Sequence, residues 1–170
     1  MKKDWKTLYQ NLPEGELDKI AILRVMECTN GIIQYAHRDD ADYKLPIEET
    51  RKSMKFSMSS IKNMTIPLDN GTIEFAPESQ ELMREAREYY VSGVKKGVDE
   101  DYAEFMKISE VTAQVCGLER LVNAVKTLKE NQSEIPSRCI VWGLEYLLQF
   151  FDDEHLRNFF GPKDIGGLPA

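Results

Sequence analysis

Ile108, Val111, Val115, Leu118, Val122 and Val125 are separated by 3, 4, 3, 4 and 3 residues. That spacing returns an apolar side chain to one side of an α-helix turn after turn, the pattern of helices packed at a shallow angle. It predicts one continuous helix from Asp99 to about Asn131, opened by the acids Asp99, Glu100 and Asp101 and closed by the polar "NQSEIP". A rod with an oily edge needs other rods against it, so this seam predicts a helical bundle.

The rest of the chain supplies those rods. Trp5, Leu8, Tyr9 and Leu12 share one face of a short helix over 4–12, which "PEG" at 13–15 breaks. From Glu16 to about His37 a second helix is apolar nearly all round, which marks a central bundle member, with Thr29-Asn30-Gly31 as its weak point. Pro46 suits the first turn of a third helix, along which Ile47, Met54, Met58 and Ile61 form a stripe. The period then shortens. "TIPLDNGTIEF" (65–75) has Asn70-Gly71 between β-branched residues, a hairpin signal, and Pro67 keeps its strand at an edge.

Another helix follows Pro77, with Leu82, Met83, Ala86, Tyr90 and Val94 inward and Lys95, Lys96 and Gly97 as a favourable end. Pro136 opens a helix in which ten of the thirteen residues from Cys139 to Phe151 are apolar, so it needs cover on nearly every side. A short piece at 153–160 and a Gly/Pro-rich stretch complete the chain. The expected architecture is mostly α: a bundle of five to six helices with one inserted β-hairpin at about 65–75. It forms a single domain over 1–160, followed by a flexible tail at 161–170.

With 170 residues the chain buries a core without staples. Its net charge of −7 disfavours non-specific binding to nucleic acid or anionic membranes. Cys28, Cys116 and Cys139 are odd in number and form no C-x-x-C pair, so they read as buried small apolar groups in a reducing, cytoplasmic setting. The N-terminus has no apolar signal run, and the longest apolar stretch, 139–151, is too short to span a bilayer. With no G-x-S-x-G, phosphate-cradling loop or dinucleotide fingerprint, no cofactor is implied.

Four features carry the candidate chemistry. His37 and His155 each lie beside paired aspartates. Asp152 and His155, spaced D-x-x-H, can share a helix face and ligate a metal. The competing reading is two helix ends, with His37 in a last turn and Asp152 or Asp153 capping a new one. Glu81, Glu85 and Glu88, followed by Asp99, Glu100, Asp101 and Glu104, superficially resemble the magnesium-binding carboxylates of all-α nucleotide pyrophosphohydrolases. That resemblance implies a metal-dependent phosphohydrolase using Glu85, Glu88, Asp101 and Glu104. It departs from the pattern in its D-x-x-E second half and in lacking an E-L-G-E-like box. Arg84 and Arg87 interleave with the glutamates as on a solvated, salt-bridged face, with Arg84 and Glu88 as an i,i+4 pair.

Arg51, Lys52, Lys55 and Lys62 form a basic stretch without an acid, in a protein of the opposite sign. It suits an acidic partner segment or phosphate, including nucleic acid in an accessory role. Trp142, Tyr146, Phe150, Phe151, Phe159 and Phe160 exceed what one face of a compact bundle needs, so they are core centre or intermolecular surface. The sequence therefore points first to a small interaction or regulatory protein: an adaptor, inhibitor or accessory subunit. Its expected partner-facing region is Arg51, Lys52, Lys55, Lys62 and the protruding hairpin at Asn70, with homodimerisation through the seam or hairpin.

Overall fold

The computed structural model describes residues 4–36, 64–68, 71–93, 100–131 and 137–161, with backbone alone at 31–36, 67, 86–93 and 100–105. Pro13 ends the first short helix, α1 (Trp5–Gln10), and starts the second. Its carbonyl accepts from the N–H groups of Glu16 (2.9 Å) and Leu17 (3.3 Å). "PEG" is therefore a corner, and Glu14 and Gly15 already belong to α2 (Glu14–Ala36). Acids in that first turn complement the exposed helix N–H groups.

α2 is the axis of the fold, packed along both later long helices. Every residue from Ile20 to Asn30 is buried, as expected of a helix apolar nearly all round. Thr29-Asn30-Gly31 does not stop it. The Thr29 hydroxyl donates to the Val25 carbonyl at 2.8 Å and the helix runs on to Ala36.

A hairpin of β1 (Thr65–Leu68) and β2 (Gly71–Glu74) pairs antiparallel with Thr65 opposite Glu74 and Leu68 opposite Gly71. Gly71 therefore belongs to the strand, and the rest of the turn signal, residues 69 and 70, lies outside the described residues. One face of the described strands lies on the bundle. Ile66, Leu68 and Phe75 are buried with the bundle core, and the Lys19 ammonium donates to the Glu74 carbonyl at 2.9 Å.

Pro77 opens α3 (Pro77–Gly93), where its missing N–H costs nothing. Glu16 of α2 prepares that start, its carboxylate accepting from the Ala76 N–H at 3.1 Å and from Lys19 at 2.9 Å. Burial works against the Glu16 charge, but these hydrogen bonds outweigh it and its pKa lies below the ordinary value. The helix ends foreseen at His37 and at Lys95–Gly97, the helix after Pro46 and the tail beyond Gly161 lie outside the described residues.

α4 (Glu100–Asn131) corrects the expectation of a continuous rod. Gly117, at φ 80° and ψ 165°, breaks it into two limbs. Before the break the buried residues are Ile108, Ser109, Thr112, Ala113, Val115 and Cys116; after it they are Leu118, Leu121, Ala124, Val125 and Leu128. Carried through a straight helix of 3.6 residues per turn, these two sets would face nearly opposite ways. The break turns both toward the core. The 3-4-3-4-3 seam marks only the margin the two faces share, which is why Val111 and Val122 stay half-buried. Arg120 braces the corner. It donates to the Cys116 carbonyl at 3.2 Å and pairs with Asp18 (3.4 Å) and Glu14 (3.5 Å) of α2.

α5 (Ser137–Leu148) buries Cys139, Ile140, Gly143, Leu144 and Leu147. Trp142, Tyr146, Phe150 and Phe151 are half-buried against the core rather than at its centre. Asp152 caps α6 (Asp153–Phe160), a helix without a fully buried residue. No described helix is long and apolar enough to cross a membrane.

Candidate protein-binding groove

α1 is too short to hold itself together, since helices of this length are marginal in water. Two contacts anchor it. Asp4 caps its start, accepting from the Thr7 N–H at 3.2 Å and hydroxyl at 2.5 Å, which hold the Asp4 carboxyl below its usual pKa. Trp5 and Tyr9, one turn apart, are buried at 5% and 3% exposure.

Burying Trp5 and Tyr9 turns the flank of α1 outward. Leu8 is 38% exposed and Leu12 half-buried, where the sequence pattern had placed both with Trp5 and Tyr9 on one core face. The apolar arc of this helix is wider than the strip that α4 covers. Its uncovered margin looks toward α3. On α3, Ser79, Leu82 and Met83 are buried, while Glu78, Glu81 and Glu85, at i, i+3 and i+7, occupy the neighbouring face.

Between the two helices lies an open groove of about 610 Å3, lined by Asp4, Thr7, Leu8, Leu12, Glu78, Glu81, Leu82 and Glu85. Its floor is three leucines. Its rim is four carboxylates, and no cation is among the lining residues. Arg84, beside the rim, forms an ion pair with Glu81, its Nε lying 3.3 Å from Oε2. An exposed leucine beside half-buried and buried ones, ringed by polar groups, is the anatomy of a binding surface.

The foreseen residues fall elsewhere or outside. Glu85 sits on the groove rim. The side chains of Glu88, Asp101 and Glu104 lie outside the described residues, as do Arg51, Lys52, Lys55, Lys62, Asn70 and His37. Arg84 pairs with Glu81; the side chain of Glu88, its expected i,i+4 partner, lies outside the described residues. Asp152 accepts from the His155 backbone N–H at 2.7 Å as the α6 cap, and the His155 ring packs edge-on to Phe151 at 5.4 Å. Among the described residues, no three His, Cys, Asp or Glu side chains cluster as metal ligands would.

Among the described residues, one ion pair is fully internal. Arg24 and Glu27 pair at 3.0 Å along α2, at 3% and 6% exposure. Beside them Cys28 Sγ lies 3.5 Å from Ser109 Oγ on α4. Burial pushes the Cys28 thiol up to about 12 against the opposing pull of the Arg24 charge, and Cys116 likewise to about 12. Thiols so far from ionising are packing groups, not nucleophiles. All three cysteines are free and buried, as their apolar settings suggested.

Comparisons with protein families, with curated proteins and with solved structures find no match.

Proposed function

We propose that this protein is an interaction module, an adaptor, inhibitor or accessory subunit, that takes an apolar segment of a protein partner into the groove between α1 and α3. The exposure of Leu8 above Leu12 and Leu82 carries this reading. An aliphatic side chain left 38% exposed over a leucine floor is shielded from water when a partner's apolar group fills the groove. The exposed leucine favours the α1–α3 face as a working surface; the basic stretch at Arg51, Lys52, Lys55 and Lys62 lies outside the described residues.

The test is a photo-crosslinking residue in place of Leu8, compared with Leu8→Asp. The crosslinker should capture a discrete protein in cells. Leu8→Asp should abolish co-purification of that same protein while leaving the melting temperature close to wild type, because position 8 is exposed. Retention of the captured protein by Leu8→Asp overturns the assignment.

A further inference from the structure

We propose that α1 is a releasable strap, and that the seat it fills on α4 and α3 takes a helix of a partner protein carrying two aromatic residues one turn apart. This inference goes beyond the groove reading and does not depend on it.

The attachment of α1 allows release. Among the described residues it packs on α4 and, less, on α3, both distant in the chain, and hardly on α2, which follows it directly. Its backbone bonds close within it: the N–H groups of Leu8, Asn11 and Leu12 donate to the carbonyls of Asp4, Thr7 and Tyr9, each at 3.1 Å. The Pro13 carbonyl accepts from Glu16 and Leu17, which belong to α2. Among the described residues no backbone hydrogen bond spans the Leu12–Pro13 junction, and Pro13 has no N–H to form one. α1 can therefore swing away at that junction with no backbone hydrogen bond broken there. Trp5 and Tyr9, its two buried residues, hold it down. Six residues that are marginal as a helix once undocked form a unit that opens ahead of the rest of a fold.

The occupant is read from what already sits there. The seat accommodates a helix, because α1 is one, and it takes Trp and Tyr at i and i+4. Lys6, Thr7, Leu8 and Gln10 are exposed, so the aromatic pair and its spacing carry the recognition. Trp and Tyr are also the residues that most often dominate binding energy at protein interfaces, and anchors one turn apart are how a docked helix is recognised. A partner helix with the same pair can replace α1 in its seat. It meets a seat already filled from within the chain, so its apparent affinity falls to the fraction of molecules in which α1 is lifted. α1 is in this sense autoinhibitory. Occupation of the seat and of the groove exclude each other, since the groove needs α1 as its wall.

The experiment frees the seat and offers it a probe. Trp5→Ala combined with Tyr9→Ala in the full chain should release the strap while circular dichroism shows the helical fold retained. Two labelled alanine-rich helical peptides are titrated by fluorescence anisotropy, one with Trp and Tyr at i and i+4, the other with them at i and i+2, on different faces. The first peptide should bind the variant at least about tenfold tighter than it binds wild type, whose own strap competes. It should also bind the variant at least about tenfold tighter than the second peptide does, because only its spacing matches the seat. In wild type, hydrogen exchange at the Leu8 and Asn11 amides should run at least about a hundredfold faster than at the slowest amides between Ile20 and Asn30.

A folded variant that binds neither peptide, or binds both equally, overturns the proposal. Loss of the fold in the variant, or α1 amides that exchange no faster than those of α2, overturns it as well, since α1 is then an integral part of the core. Wild-type dimers that the variant does not form, seen by sedimentation, put α1 of a second copy in the seat and overturn the assignment to a partner protein.

Discussion

Gly143 of α5 rests directly on Thr29 of α2. A methyl group built on it would overlap the Thr29 hydroxyl and reach within 2.7 Å of the Val25 carbonyl and 3.0 Å of the Thr29 nitrogen. The Thr29 hydroxyl is held there by its bond to the Val25 carbonyl, so it cannot swing away without losing its acceptor. The two helices meet here at backbone contact, which helps keep α2 buried from Ile20 to Asn30. A glycine lets one neighbour approach to backbone contact while α4 covers other sides.

Gly143→Ala is expected to destabilise the protein despite the better helix propensity of alanine. Propensity favours the change by about 1 kcal/mol, but overpacking at a rigid contact costs about 1–3 kcal/mol. Chemical denaturation should show a lower midpoint with an unchanged slope. A more stable variant would show that the helices are further apart than described.

The Arg24–Glu27 pair lies inside the fold, on the same helix that Gly143 approaches. Removing Glu27 strands the Arg24 charge away from water, so Glu27→Ala should cost about 3–5 kcal/mol. The double variant Arg24→Met with Glu27→Leu should lose less than the sum of the single losses, since no lone charge remains. Additive losses in a double-mutant cycle would mean the pair is not coupled.

Much of this architecture is legible from spacing and breakers. The central helix, the hairpin, the start of α3 at Pro77 and the Asp152 cap follow from local chemistry that acts within a few residues. What escaped depends on partners distant in the chain. Leu8 belongs to the apolar arc of α1 by spacing, but which part of that arc α4 covers is a tertiary fact. Arg24 and Glu27 look like surface residues until a helix covered on all sides encloses them. The groove combines both cases: its leucines read as core and its glutamates as solvated face, and only their meeting makes a site.

Gly117 is the clearest such case, because a lone glycine within a helical pattern is ordinarily tolerated. Its φ and ψ belong to a region that side-chain-bearing residues avoid, at about 1–3 kcal/mol. A Cβ there meets nothing within 4 Å, so the cost of Gly117→Ala is purely conformational. A drop of that size in unfolding free energy is expected. If the alanine variant is instead as stable as wild type, α4 is straight and the two buried faces need another explanation.

Glu16 gives the fold its acid sensitivity at the junction of α2 and α3. Its carboxylate accepts from the Ala76 N–H and from Lys19, and its folded pKa lies below the ordinary value of 4.5. A depressed folded pKa means that the unfolded chain takes up the proton first. The stabilisation is therefore fully present above about 4.5 and is lost as pH falls through the lower folded value. Glu16→Gln should be less stable than wild type at neutral pH, by about 0.5–2 kcal/mol for a lost cap. The two proteins should converge as the pH is lowered through the acid range, because protonation removes from wild type what the substitution has already removed. Urea titrations at pH 7 and pH 3 measure the gap directly, and a gap that stays constant between them would place the stabilisation in Glu16 packing rather than in its charge.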